Sequence, residues 1–153
     1  MSTVLAKDEQ VVKDESFIVN PFFFLFKARY TLTNKRITGE QPNTVLGIIP
    51  IGKAQFSQPL KTVASVSCST KFSLKRLLLG LVLGLIGISL MGSMNIPSIV
   101  LLIFAVGQIL YCYTATFGIT NNSGQTPGYE ISILEKSKVE AFVHEVNNTI
   151  ADS

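Results

Sequence analysis

Stretches of alternating residues and two unbroken apolar blocks set the pattern of this chain. In residues 22–33, Phe24, Phe26, Ala28, Tyr30 and Leu32 fall on one face, and Leu25, Lys27, Arg29, Thr31 and Thr33 on the other. That period of two predicts a half-buried strand. Asn34-Lys35 predicts a turn, with a second strand starting at Arg36. Residues 40–43, with Pro42, predict a loop. The apolar run 45–51 holds Gly47 and Pro50, so it predicts a bent or edge strand. Residues 55–57 predict one more short strand. Residues 63–70 alternate again, with Ala64, Val66 and Cys68 opposite Ser65, Ser67 and Ser69. Residues 114–120 and 129–134 predict two further strands around a turn-rich loop. The chain closes on a predicted helix over residues 135–150, where Val139, Phe142, Val143, Val146 and Ile150 make one apolar stripe. Residues 1–15 are polar and of mixed charge, and read as a lead-in to the domain.

The two apolar blocks are residues 77–91 and 96–117, inside a stretch from Leu77 to Tyr129 without one Asp, Glu, Lys or Arg. Turn formers separate them: Gly92, Ser93, Asn95 and Pro97. A membrane-spanning helix needs about 20 apolar residues. The second block meets this alone. The first reaches it when Lys75 and Arg76 snorkel and lend it Phe72 and Leu74. The pattern predicts a transmembrane hairpin of two helices over residues 77–113, turned at about 92–97. The competing reading is a buried core hairpin of a soluble protein. The strands after the hairpin are too few to bury their own faces. Residues 16–76 and 114–151 are therefore expected to form one split domain, interrupted by the hairpin. The expected fold class is an α+β membrane protein.

The charge of +3 over 153 residues is unevenly spread. Residues 1–15 carry −2, residues 16–76 carry +8 and residues 130–153 carry −3. The basic block adjoins the first apolar block, and positive flanks stay on the cytoplasmic side. Both termini are expected in the cytoplasm, at a cell inner or plasma membrane crossed twice. The polar start predicts no cleavable signal peptide. In that compartment Cys68 and Cys112 are expected to stay reduced, and the glycosylation patterns at Asn121 and Asn147 unused.

Candidate chemistry is sparse. His144 is the single histidine, placed on the polar side of the last predicted helix. No paired carboxylates, nucleophile–base pair, metal-ligand spacing or phosphate-binding glycine loop stands out. The sequence predicts no enzyme, no cofactor and no metal. Lys27, Arg29, Lys35, Arg36, Lys71, Lys75 and Arg76 form a candidate site for anionic lipid headgroups. No aromatic platform accompanies them, so nucleic acid is not expected. Gly80, Gly84 and Gly87 share a face of the first apolar block, and Ala105, Gln108 and Cys112 a face of the second. Such small-residue faces let helices approach closely. They are candidates for packing within the hairpin, or for a homo-oligomer or a second membrane protein.

Tyr30-Thr31-Leu32-Thr33-Asn34-Lys35-Arg36-Ile37 resembles the Y-x-L-T-x-x-R signature of bacterial pleckstrin-homology-like domains. Residues 60–66, Leu-Lys-Thr-Val-Ala-Ser-Val, resemble the L-x-x-I-x-S-V segment of that family. The resemblance covers about residues 22–70 and 115–150. It implies a bent antiparallel sheet or partly open barrel capped by a C-terminal helix. It supplies no catalytic role; Tyr30 is expected in the core and Arg36 beside a turn. The expected function is a non-catalytic integral membrane interaction or assembly module, in one form an accessory subunit of a membrane complex. The alternatives are an anionic-lipid-binding module and a small oligomeric channel component with Gln108 in its pore.

Overall fold

The computed structural model describes residues 4–21, 24–45, 49–93 and 95–153. Among these, the elements run β1 (Val11–Ile18), β2 (Lys27–Thr33), β3 (Arg36–Val45), β4 (Ile49–Pro59), β5 (Val63–Phe72), α1 (Leu74–Ser89), α2 (Ile96–Leu110), β6 (Tyr113–Asn121), β7 (Gly128–Ser132) and α3 (Lys136–Ala151). All strand pairs are antiparallel, in a sheet ordered β1-β2-β3-β4 and a second ordered β5-β6-β7. A 3-10 turn at Leu60–Thr62 carries the chain from the first sheet to the second.

The inward residues of both sheets meet the apolar stripe of α3. Phe17, Ala28, Tyr30, Leu32 and Ile37 come from the first sheet, Val66, Phe117, Ile119 and Ile131 from the second, and Val139, Phe142 and Val146 from the helix. Tyr30 lies at the centre. Its ring stacks on Phe117 at 5.0 Å and also meets Phe17, Phe56, Tyr129 and Phe142. Residues from before and after the helical hairpin thus share one core. The insertion costs little chain, because α1 and α2 leave and return on paired strands, with Phe72 opposite Tyr113.

The structure overturns the two-helix transmembrane hairpin. Only Leu74–Gly92 is both long and apolar enough to cross a membrane, at 19 residues, among those described. The second helix, Ile96–Leu110, has 15 residues and at about 1.5 Å each spans roughly 22 Å, short of the ~30 Å hydrocarbon layer. The sequence expectation is inverted: the first arm, and not the second, has spanning length. The apolar run 96–117 is divided between two environments. Its last residues pair with β5, and Ala115 and Phe117 are buried in the sheet domain. Composition alone does not distinguish a residue facing lipid from one facing a protein core.

Smaller differences have local causes. The lead-in already contains the first residues of β1. The strand expected from residue 22 begins at Lys27, opposite Ile18; Phe24 and Leu25 form an exposed turn, and residues 22 and 23 lie outside the described ones. Pro42 sits within β3 instead of a loop. It is accommodated because β2 pairs with β3 only as far as Glu40, so one side of Pro42 needs no N–H. The run 45–51 opens β4, with residues 46–48 outside the described ones. In β5 a bulge between Val63 and Ser65 turns Ala64 outward, leaving Val63 and Val66 in the core.

Candidate functional site

The base of the hairpin carries a cluster of linked charges. Lys71 ends β5, Arg76 lies in the first turn of α1, Tyr111 caps α2 and Glu130 sits in β7. Arg76 Nη2 donates to Glu130 Oε2 at 2.8 Å, and Lys71 Nζ lies 3.2 Å from Glu130 Oε1. The Arg76 guanidinium also covers the Tyr111 ring, 4.2 Å from its centroid. Burial pushes the Glu130 carboxyl up. The Arg76 hydrogen bond and charge, with those of Lys71, outweigh it and hold the group below the ordinary glutamate value. Gln41 joins this cluster to the core: its Nε2 donates to the Glu130 carbonyl at 2.8 Å, and its Oε1 accepts from the Tyr30 hydroxyl at 2.5 Å. A cleft of about 590 Å³ opens here between Asn43, Thr44 and Ile51 on one side and Arg76, Tyr111 and Glu130 on the other.

The seven basic residues of the candidate lipid site do not share one face. Lys27, Lys71, Lys75 and Arg76 lie at the hairpin end of the domain. Lys35 and Arg36 flank the β2–β3 turn at the opposite end. Most are engaged internally. Arg29 pairs with Asp14, and Lys35 donates to the Lys7 carbonyl. Arg36 grips Glu9 with two nitrogens, at 2.8 and 3.1 Å. The Glu9 carboxylate also accepts from Thr33 Oγ1 and the Ala6 N–H. The Arg36 hydrogen bonds, foremost, lower its pKa to about 2. Lys27 and Lys75 are exposed and have no carboxylate partner among the described residues.

Inside the hairpin the small residues face one another. A Cβ at Gly80 would fall 2.7 Å from Ile109 Cγ1 and 3.0 Å from the Ala105 carbonyl oxygen. One at Gly87 would meet Leu102 at 3.0 Å, while one at Gly84 would sit a comfortable 3.7 Å from Ala105 Cβ. Gln108 and Cys112 are buried. Gln108 therefore lies within the chain's own fold, away from any outward face. The glycine face is used within the chain, leaving larger apolar side chains outside.

Sequence reasoning missed Glu9, Gln41 and Glu130, whose partners lie far off in the chain. It also missed Asn147, which bonds both the N–H and the carbonyl of Val66 and ties α3 to the edge strand β5. Its only sequence signal, a glycosylation pattern, pointed elsewhere. His144 is exposed on α3. Among the described residues, no group of three or more His, Cys, Asp and Glu side chains could hold a metal ion. Comparison with protein-family models, with curated proteins and with solved structures returns no match.

Proposed function

We propose that this protein is a membrane-seated interaction module, in which a sheet domain is held at a bilayer by the exposed apolar face of α1. One observation carries the reading. The most apolar window of α1 is only 11 % buried, although its small face is already packed on α2. A core helix of a soluble protein would be mostly covered. Leu78, Leu81, Val82, Leu85 and Ile88 instead point away from the protein. Full burial of such a side chain stabilises by about 1.5–3 kcal/mol; these are half-buried already, and lipid supplies the remaining half. Both ends of the hairpin meet the sheet domain on one side, because they are paired strands. Lys71, Lys75 and Arg76 stand at that end, at the start of α1, which favours a cytoplasmic sheet domain. The antiparallel sheets and closing α3 are compatible with the pleckstrin-homology-like resemblance, which rests on its two short motifs. Interaction is favoured over catalysis because Lys71, Arg76 and Glu130 at the hairpin base are engaged with one another.

Extraction of membranes with alkaline carbonate tests the seating: the protein is expected to stay in the pellet and to float with lipid vesicles. A monodisperse protein in the supernatant without detergent overturns it. Native mass spectrometry after gentle extraction tests the interaction. A second polypeptide at fixed stoichiometry, or a defined homo-oligomer, is the expected result. A bare monomer overturns that half of the proposal.

A further inference from the structure

The hairpin is not the only apolar part at its end of the molecule. Strand direction puts the paired ends of β1 and β2 and those of β3 and β4 at the same end of the first sheet, since Ile18 opposes Lys27 and Val45 opposes Ile49. The cleft that joins Thr44 and Ile51 to Arg76 and Tyr111 places that end beside the hairpin base. The turn from β7 into α3 lies there too, because Ser132 opposes Thr114 at the start of β6.

At these three places large apolar side chains stand in the open. Leu25 is 78 % exposed, Ile51 66 % and Leu134 77 %, with Phe24, Val45 and Ile49 beside them. Phe72 and Tyr113, a ring pair at 6.3 Å, mark the junction of strands and helices and are exposed as well. Lys27 and Lys75, exposed and without a carboxylate partner among the described residues, belong to the same rim.

We infer that this end of the sheet domain docks on the bilayer surface, with these three strand ends inserting Phe24, Leu25, Val45, Ile49, Ile51 and Leu134 into the headgroup–acyl boundary around the base of α1. The docking rests on the bilayer seating of α1 proposed above. Lipid is the occupant for three reasons. The apolar strand ends surround the base of α1, whose exposed apolar face is seated in it. They come from separate elements around one base and are not a single groove shaped for a peptide. The exposed lysines between them complement anionic headgroups. Aromatic rings at the junction suit the interfacial layer. The consequence is a domain fixed in orientation, presenting its β2–β3 turn end to the cytoplasm.

The chain contains no tryptophan, so single reporters can be placed at exposed positions in the full-length protein. Leu25→Trp, Ile49→Trp and Leu134→Trp probe the turns, Leu85→Trp probes α1, and Val12→Trp probes the opposite end. Each is reconstituted in phosphatidylcholine–phosphatidylglycerol vesicles whose acyl chains are brominated either near the headgroup or near the bilayer centre. The three turn reporters are expected to emit to the blue and to be quenched most by the shallow bromines. Leu85→Trp is expected to be quenched most by the deep ones, and Val12→Trp by neither. If the turn reporters behave like Val12→Trp while Leu85→Trp is quenched, the docking is wrong and the seating stands. Blue emission at the turns without quenching also overturns it and assigns the rim to protein contact. If Leu85→Trp is unquenched, the seating itself fails.

Discussion

Arg76 in the first turn of α1 donates to Glu130 on β7 at 2.8 Å, across 54 residues of chain. This bond fastens the hairpin to the sheet that forms after it. Both side chains are largely shielded from water, so the pair differs from an exposed one. Arg76→Met leaves a half-buried carboxylate with Lys71 alone. A loss of about 1–3 kcal/mol is expected, with faster amide exchange at residues 73–77. Lys75→Met, one residue away and without a carboxylate partner among the described residues, is expected to change stability by less than ~0.5 kcal/mol. Equal effects in the two variants would remove the clamp from the account.

Glu9 sets a pH dependence. Its folded pKa of about 2 lies below the ordinary ~4.3 of an unfolded glutamate. Between those values the unfolded chain binds the extra proton. Stability from this group is therefore complete above about pH 5 and is lost as the pH falls through the folded pKa. Glu9→Gln is expected to flatten that part of the acid unfolding curve and to loosen residues 4–10, which Glu9 ties to Arg36 and Thr33. An unchanged curve would mean that other carboxylates carry the acid transition.

The glycines of α1 are not equivalent. Gly80→Ala must displace Ile109 or the Ala105 backbone, and a cost of about 1–3 kcal/mol is expected. Gly84→Ala meets only ordinary contact. Its gain in helix propensity, about 0.8–1 kcal/mol, is expected to raise the melting temperature of the reconstituted protein. Thermal unfolding followed by circular dichroism separates the two, and a similar penalty at both positions would contradict this helix packing.

Tyr30 tests whether residues on both sides of the hairpin make one cooperative unit. Tyr30→Ala removes a fully buried ring that contacts both halves, and a loss of about 3–5 kcal/mol is expected. Tyr30→Phe keeps the ring and leaves Gln41 Oε1 without its donor, for about 1–2 kcal/mol. Exchange protection in β6 and β7 is expected to fall together with that in β1 and β2. Loss confined to the first sheet would show two units instead of one.

Periodicity made several elements legible in the sequence. The alternation of Ala28, Tyr30 and Leu32, the stripe of α3 and the charge-free run after Arg76 each depend on neighbours a few residues apart. Those neighbours are enough to say which face is buried and where the helical hairpin lies. What lipid, core and ion-pair partner each residue meets is decided by register over long separations. The same apolar run yields α2 and then β6 because β5 is there to pair with residues from Tyr113 onward. Arg29, Arg36, Lys71 and Arg76 read as a free basic patch until folding brings Asp14, Glu9 and Glu130 against them. The sequence by itself determined the apolar face of α3, the Ala28-Tyr30-Leu32 face of β2 and the place of the helical hairpin, since these follow from local geometry. Only the tertiary structure decided the length of α2, the neutralised charges and the apolar rim around the hairpin base, since these follow from which strands stand side by side.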